Sequence, residues 1–248
     1  MKINLNEIKY YYLTTGDNIS RINHMNEIFK NLELTQVNPY KDKNFDKQRS
    51  GTTGAGRMIN LGLKNQIPGK PFKPFIILED DISFFENIPD QLNIPDNADF
   101  IYVGVSCAGM SNNFRWNPNQ YLYANDYNED YLRIYNMLST HAIMICSPLG
   151  ASIYSQCMLE AHINIKLDRF KGKWDSYLAT VQPYYNIYAL KQPLFYQDKK
   201  FGGMEDETKI KFKNGNIIFL NEKKGLDKYI TPPKNYKWNQ INTLKFKI

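Results

Sequence analysis

The stretch F-I-I-L-E-D-D at residues 75–81 decides our prediction of the fold. Its first four residues are apolar and include two isoleucines, which is typical of a strand buried on both faces. Three carboxylates follow, and at such spacing they raise each other's pKa values unless a cation lies among them. Ligands of open α/β sheets bind outside the carboxyl ends of the strands. The stretch therefore predicts either a Mg²⁺ or Mn²⁺ site suited to phosphates, or a solvated turn that happens to be acidic.

The composition indicates a globular protein. The chain has 248 residues, of which 42% are hydrophobic, and this is enough to build a full core. No apolar run approaches the roughly 20 residues of a transmembrane helix. Residues 1–6 lack the apolar core of a signal peptide, so we expect a cytoplasmic protein or one whose signal peptide has already been removed. Cys107, Cys146 and Cys157 are widely spaced without a C-x-x-C pair, which predicts reduced buried thiols rather than disulfides or a zinc site.

Positive charge is concentrated near the C-terminus. Residues 199–248 contain 12 lysines and 5 acidic residues, an excess of seven charges, whereas the whole chain carries +6. The preceding 198 residues therefore sum to −1. The lysines are interleaved with aromatic residues, among them Tyr229, Tyr236, Trp238 and Phe246. This pattern predicts either a surface that binds sugars, acidic glycans or nucleic acid, or an ordinary solvated surface.

Strand and helix patterns alternate along the first 198 residues, which is typical of an α/β fold. We predict strands at residues 9–15, 75–78, 100–105, 140–146, 188–190 and 193–198. We predict helices at residues 20–32, with Ser20 as N-cap, at 51–66, at 148–161 and from Trp174 onward. Two short runs at 209–212 and 217–220, joined by Asn214-Gly215, predict a hairpin. Residues 38–50, 84–97 and 106–130 are predicted connections, and the length of the last favours a lid or binding loop.

Two predicted strand-to-helix junctions are candidate phosphate sites. Arg21 lies in the first turn of the first helix and is either a phosphate ligand or an ordinary surface arginine. The run G-T-T-G-A-G-R at residues 51–57 is predicted to open the second helix, where backbone N–H groups and Arg57 would face an anion. The run matches neither a Walker loop nor a G-x-G-x-x-G fingerprint.

Taken in order, the motifs resemble those of the family-25 glycosyltransferases, the group that contains procollagen and bacterial lipooligosaccharide galactosyltransferases. F-I-I-L-E-D-D-I at residues 75–82 is the most specific piece. The other pieces are the first strand with Arg21, Gly51-x-x-Gly54, Thr140-His141-Ala142 with Gly150-Ala151, Trp174-Asp175-x-x-Leu178, and Pro193-Leu194-x-x-Gln197. One departure is visible, because the family usually has a serine-histidine pair where this chain has G-R-M-I at residues 56–59.

The resemblance implies an α/β protein with a GT-A fold. Residues 1–204 would form a single domain with a Rossmann-like central mixed sheet flanked by helices, and residues 205–248 a C-terminal hairpin and basic extension. It implies a UDP-sugar donor and Mn²⁺ or Mg²⁺. It also implies transfer of a hexose, galactose or glucose, with inversion to a hydroxyl of a glycan or glycoprotein. The alternatives are another metal-dependent nucleotide enzyme, such as a nucleotidyltransferase or a sugar transferase acting on nucleic acid, and a non-catalytic carbohydrate-binding protein.

Candidate roles follow for individual residues. In an extended strand Glu79 and Asp81 would point the same way, with Asp80 opposite. Asp81 is the predicted metal ligand, assisted by Glu79 and by Gln197 or Asp198 of the last strand. The predicted donor-binding residues are Thr14, Thr15, Arg21, Gly54, Arg57, Glu79 and Asp80. The predicted general base is Asp175, with His141 and Asp126 as competitors.

Overall fold

The computed structural model describes residues 1–40, 47–85, 88–110, 116–164, 174–202, 209–211, 217–219, 229–236 and 238. Within them the strands are β1 (Lys2–Asn4), β2 (Lys9–Leu13), β3 (Leu34–Val37), β4 (Phe75–Glu79), β5 (Ile82–Phe84), β6 (Gln91–Asn93), β7 (Phe100–Tyr102), β8 (Ala108–Met110), β9 (Trp116–Tyr121), β10 (Ala124–Asp126), β11 (Tyr131–Ile134), β12 (Ala142–Ile145), β13 (Ile187–Leu190), β14 (Phe195–Gln197), β15 (Lys209–Lys211) and β16 (Ile217–Phe219). The helices are α1 (Ile19–Ile28), α2 (Lys47–Lys64), α3 (Pro148–Asn164) and α4 (Trp174–Val181).

An eight-stranded mixed sheet forms the centre of the structure, in the order β3-β2-β4-β12-β7-β13-β11-β10. Strands β3, β2 and β4 are parallel, and β7 and β13 are parallel to each other. Strand β12 is antiparallel to both of its neighbours, β4 and β7. The amino end of β12 therefore shares one edge of the sheet with the carboxyl ends of β2, β4 and β7. The acidic triplet lies at this edge.

The sheet is covered on both faces, as the apolar strand β4 predicts. Phe75 and Ile77 belong to a buried cluster that includes side chains of α2, α3 and α4. Ile76 and Leu78 belong to a second cluster, with Met25 of α1, on the opposite face. The predicted strand buried on both faces, and with it the α/β fold class with a large mixed sheet, is confirmed.

The predicted start of the second helix is wrong. Helix α2 begins at Lys47, so the glycines of residues 51–56 lie inside it. A Cβ atom added to Gly54 would lie 2.1 Å from Leu13 Cδ1, and one added to Gly62 would lie 2.3 Å from the Phe75 ring. These glycines therefore let the helix approach the sheet closely. The first helix also differs from the prediction, because its N-cap is Asn18 rather than a serine.

The predicted loop at residues 106–130 is also wrong, because it contains three strands. Strand β8 pairs with β9 in a separate two-stranded sheet, and β10 extends the central sheet beside β11. The connection at 84–97 likewise contains β6, which pairs with β1. Strand β3 was not predicted. The helix predicted from Pro148 and the antiparallel hairpin β15–β16 are confirmed, whereas the predicted turn Asn214-Gly215 lies outside the described residues.

The C-terminal segment packs on the outer edge of the central sheet. The N–H of Ile230 donates to the Leu122 carbonyl (2.9 Å), and the N–H of Ala124 donates to the Ile230 carbonyl (3.1 Å). The Trp238 ring stacks on Tyr135, with centroids 5.3 Å apart. Phe246 and most of the C-terminal lysines lie outside the described residues. The predicted burial of all three cysteine thiols is confirmed, and none of them forms a disulfide. Among the helices that the structure describes, none is both long and apolar enough to cross a bilayer.

Candidate functional site

The acidic triplet turns away from the sheet directly after β4. Strand β4 ends at Glu79, and Asp80 and Asp81 form the turn that leads into β5. Arg21 Nη1 lies 2.5 Å from Asp80 Oδ1, and Arg21 Nη2 lies 3.9 Å from Asp81 Oδ2. The prediction that Asp80 points away from Asp81 is therefore wrong, because the residues leave the extended conformation and one arginine reaches both carboxylates.

Glu79 is held from two sides by side chains of other strands and loops. Thr140, just before β12, donates its hydroxyl to Oε1 (2.7 Å). Gln197 of β14 donates Nε2 to Oε2 (3.1 Å). Gln197 also stabilises the carboxylate of Asp81 by hydrogen bonding. The structure thus places Gln197 at the predicted site, but as a donor that orients Glu79 rather than through its carbonyl oxygen.

Two of the three carboxyls disfavour their charged form. Burial, followed by the charges of Asp81, Asp175 and Asp80, raises the pKa of Glu79 to about 8, against the hydrogen bond from Thr140. Burial also raises the pKa of Asp81, although the guanidinium of Arg21 acts in the opposite direction. Raised carboxyl pKa values are common at binding sites where like charges lie close together, and they also occur in structural ion-pair networks.

The donor set of the site suits a hard cation but does not complete its coordination shell. Asp81 Oδ1 is buried and has no hydrogen-bond partner, so an acceptor oxygen with a lone pair remains unused. No group of three or more His, Cys, Asp or Glu side chains among the described residues is arranged to hold a metal. Mg²⁺ and related cations usually bind one or two carboxylates and complete their shell with water and substrate phosphates. The carboxylates present fit that pattern.

Asp175 approaches the triplet from the face of the sheet that α2, α3 and α4 cover. It is the second residue of α4, and its Oδ1 accepts a hydrogen bond from the Ser176 N–H (2.7 Å). Its charge contributes to the raised pKa of Glu79, which places the two carboxyls within electrostatic range. The preceding Trp174 packs against α2, where a Cβ atom on Gly51 would lie 3.1 Å from the indole Cη2.

His141 does not have the properties of a general base. It is 2% exposed, and its Nδ1 lies 2.9 Å from the Ser139 hydroxyl. Burial lowers the pKa of His141 to about 4. A Cβ atom on Gly104 would lie 2.2 Å from Nε2, so the ring fills a space that a glycine leaves. A neutral, enclosed imidazole at this position supports the sheet edge.

Asp126 does not belong to the site. It lies on β10, five strands from β4, which corresponds to about 24 Å at the usual strand spacing. Its carboxylate pairs with Lys191 (2.6 Å) and accepts a hydrogen bond from the Tyr229 hydroxyl (3.0 Å). The hydrogen bond from Lys191, before that from Tyr229, lowers the pKa of Asp126. Asp126 instead fixes the C-terminal segment on the sheet.

The remaining predicted donor-binding residues divide into two groups. Thr14 and Thr15 follow β2 at the same sheet edge as the triplet, and the buried Thr14 hydroxyl accepts from the Gly16 N–H (3.2 Å). Arg57 lies inside α2 and donates to the Asn38 carbonyl (2.7 Å). The prediction that Gly54 presents a helix-start N–H to an anion is wrong, because the residue lies inside the helix and packs on the sheet.

Sequence reasoning missed a hydrogen-bonded support behind the acidic turn. The Ser83 hydroxyl donates to Asp198 Oδ2 (2.8 Å), and His24 Nε2 lies 3.0 Å from the same hydroxyl oxygen. The N–H of Asp198 donates to the Asp81 carbonyl (2.7 Å), and the His24 ring stacks on Phe201. This network joins α1, β5 and the end of β14. The one indication of this network in the sequence was the prediction that Asp198 lies near Asp81.

A separate cavity of about 540 Å³ opens at the other end of β2 and β4. Its lining includes Lys9, Phe72 and Lys73 and none of the residues of the triplet. In open α/β sheets ligands bind at the carboxyl ends of the strands, and this cavity lies at the amino ends. The acidic turn is therefore the stronger candidate site.

Comparison with known proteins adds a weak structural likeness. No protein-family model matches the sequence, and no curated protein matches it either. The crystal structure of A197 from STIV is similar to this chain with a TM-score of 0.37 and 13% sequence identity. That similarity covers 92% of this chain and 99% of the other. A likeness at this level assigns no family, so the resemblance to family-25 glycosyltransferases rests on the motifs of this sequence.

Proposed function

We propose that the protein is a metal-dependent glycosyltransferase with a GT-A fold, which transfers a hexose from a UDP-sugar to a hydroxyl of a glycan or protein. The observation that carries the proposal is the unpartnered, buried Oδ1 of Asp81 beside Glu79, at the carboxyl end of the central strand. Galactose or glucose is the expected sugar. The GT-A domain at residues 1–204 and the extension at 205–248 are part of the same proposal.

Asp81 would hold the metal through Oδ1, and Glu79 would join it once its proton is lost. When bound, Mn²⁺ or Mg²⁺ supplies a Lewis acid for the charge that develops on a diphosphate leaving group. Gln197 and Thr140 keep Glu79 oriented toward this position. The support from Asp198 to the Asp81 backbone fixes the turn.

Arg21 would bind the diphosphate from the other side of the turn. Its ion pair with Asp80 fixes the guanidinium at the amino end of α1, and its Nε is buried without a partner. An arginine fork matches the geometry of phosphate oxygens. Asp80 thus acts on the donor by positioning Arg21, and Thr14 and Thr15 contribute polar groups from the neighbouring strand end.

Asp175 would take the proton of the attacking hydroxyl. An inverting transfer occurs in one displacement and needs a base on the face opposite the diphosphate. The carboxylates of the acidic turn are assigned to the leaving-group side, so the base comes from another element. Asp175 reaches the site from α4, and the neutral His141 and the distant Asp126 lack the properties or the position for this role.

The test is a thermal-shift and turnover screen of UDP-galactose and UDP-glucose with and without Mn²⁺. The wild-type protein should be stabilised by a UDP-sugar only when Mn²⁺ is present, and should then release UDP. Asp81→Asn should lose both effects while keeping its melting temperature without ligand. Asp90→Asn, which removes an exposed carboxylate elsewhere, is the matched control and should behave as wild type.

Three outcomes would overturn the proposal. Preferential stabilisation by a nucleoside triphosphate would indicate a nucleotidyltransferase. Metal-independent sugar binding without turnover would indicate a non-catalytic carbohydrate-binding protein. Normal turnover by Asp81→Asn at limiting Mn²⁺ would remove the metal assignment.

A further inference from the structure

One row of residues crosses the sheet and changes character along its length. Ile76, Met144, Ile101, Tyr188 and Arg133 are successive partners on β4, β12, β7, β13 and β11. Partners in one row point to the same face, which is the face covered by α1 at the β4 side. The first three side chains are fully buried and apolar, whereas Arg133 is half-buried and charged. The row therefore changes from buried and apolar at β4 to half-buried and charged at β11.

On and beside β10 and β11, this face of the sheet carries aromatic rings and amides. The Tyr135 hydroxyl accepts a hydrogen bond from Asn125 Nδ2 (3.0 Å) on the neighbouring strand. The exposed Tyr127 ring packs on Tyr188, with centroids 4.6 Å apart. We call this surface the aromatic face; its members are Tyr123, Asn125, Tyr127, Arg133, Tyr135 and Trp238.

Arg133 is fixed in place but uses only one of its nitrogens. Nη1 donates to the carbonyls of Ile134 (2.7 Å) and Ile187 (2.9 Å). The guanidinium lies 5.1 Å from the centroid of Tyr135 and 5.9 Å from that of Tyr188. Within the part of the chain that the structure describes, Nε and Nη2 make no hydrogen bond, and no carboxylate lies within ion-pair distance of Arg133.

The pair Nε–H and Nη2–H is the edge of a guanidinium that binds a carboxylate through two parallel hydrogen bonds. A residue that only supported the backbone would need Nη1 alone. The rings of Tyr135 and Tyr188 hold Arg133 in one orientation, and the exposed Tyr127 ring beside Tyr188 offers a flat apolar surface of the kind that packs against ligand rings. An anionic group attached to a ring fits both features.

We propose that the aromatic face binds an acidic sugar, a carboxylate-bearing unit of a glycan, with the carboxylate on Nε and Nη2 of Arg133 and the sugar ring against the exposed ring of Tyr127. The proposal rests on the proposed transferase function in one respect, which is that the bound glycan is part of the sugar acceptor. A polyanion such as RNA fits less well, because Arg133 is the one cation among the members of the aromatic face and the nearby Lys191 is paired with Asp126, whereas a string of phosphates is bound by several free cations.

The aromatic face lies apart from the acidic turn. Strand β11 is four strands from β4, about 19 Å across the sheet at the usual spacing. The bound unit is therefore remote from the hydroxyl that reacts, and the site would anchor a long acceptor rather than take part in the chemistry. Weak binding at such an anchor still raises the local concentration of the acceptor at the reacting centre.

The test is calorimetric titration of the whole protein, without nucleotide-sugar or metal, using four probes. Two are acidic, a hyaluronan tetrasaccharide and sialyllactose, and two are their neutral counterparts, chitotetraose and lactose. At least one acidic probe should bind more tightly than its neutral counterpart. Arg133→Lys, which keeps the charge and loses the fork, should weaken that binding about 10-fold or more. Lys30→Gln, which removes an exposed charge in the turn after α1, is the control and should change nothing.

A second variant covers the case in which Arg133→Lys unfolds. Tyr127→Leu leaves Tyr135 and Tyr188 beside the arginine in place and should weaken the acidic probe several-fold without changing the circular dichroism spectrum. Equal binding of acidic and neutral probes, full affinity in folded Arg133→Lys, or preference for an oligouridylate over all four saccharides would each overturn the proposal. Asp81→Asn should bind the acidic probe as wild type does, so a failed transferase test and a failed anchor test give different results.

Discussion

Replacing Glu79 by glutamine should remove a pH dependence from the stability of the folded protein. The pKa of Glu79 is raised to about 8 from an ordinary value of 4.5, chiefly by burial and then by the charge of Asp81. Between these values the folded state holds a proton that the unfolded state has released. The free energy of unfolding therefore falls as pH rises through this window.

The measurable part of the window begins at pH 6.5. The pKa of His141 is lowered by burial to about 4 from 6.5, and between those values the unfolded state holds the extra proton. His141 therefore adds stability as pH rises to 6.5 and offsets the loss from Glu79. Above pH 6.5 only the loss remains, at about 1.4 kcal/mol per pH unit, so wild type should lose about 2 kcal/mol by pH 8.

The assay is urea unfolding at pH 6.5 and pH 8 with a chelator present, for wild type, Glu79→Gln and Glu27→Gln. Glu27 is an exposed carboxylate on α1 and supplies the matched control. Wild type and the control should lose stability between the two pH values, and Glu79→Gln should lose much less. Glu79→Gln can keep the hydrogen bond from Thr140, and rotation of the Gln197 amide would restore the other. An equal loss in all three proteins would refute the proposed burial of a protonated Glu79.

Two further predictions concern the base and the packing of α2. Asp175→Asn should keep the affinity for UDP-sugar and Mn²⁺ near that of wild type, while kcat, measured by UDP release, falls about 10²-fold or more. A preserved kcat with weaker donor binding would instead assign Asp175 to donor binding. Gly54→Ala should lower the free energy of unfolding by about 1–3 kcal/mol, because its Cβ would meet Leu13. Gly56→Ala, where no atom lies within 4 Å, should raise it by about 0.5–1 kcal/mol in the same urea assay, and equal effects of the two alanines would contradict the packing role of Gly54.

The parts of the fold that could be predicted from sequence are those whose local pattern agrees with their burial. The apolar run before Glu79 is buried on both faces and appears as a central strand, and Pro148 begins a helix as its fixed backbone angle favours. The short strand β3 has one buried residue in four, Val37, and its alternation was too weak to distinguish it from a loop. The strands between residues 106 and 130 contain asparagine and glycine, which disfavour strands, and were missed for that reason.

The helix start and the site show what a sequence pattern leaves out. The glycines of α2 were predicted to open the helix because glycines at a helix start let backbone N–H groups approach an anion, whereas the close approach to Leu13 requires one of them in the interior. At the site, the triplet was predicted from composition and spacing, and Asp175 from the resemblance to the late acidic motif of the family. The contacts of Thr140 and Gln197 with Glu79 depend on which strands are neighbours, and no local pattern encodes that order.

The central place of β12 has a consequence for how the chain acquires its fold. Strands β4 and β7 are made early, but they do not pair with each other, because β12 lies between them. A nascent chain that ends before Ala142 therefore exposes two apolar strands with unpaired edges that face a gap, a template for wrong association. Insertion of a late strand between two earlier ones relies on contacts distant in sequence, which slows folding and prolongs that exposure. Strand β12, which brings Thr140 to Glu79, is thus also one of the late steps of folding, and we expect chains stalled before it to need a chaperone.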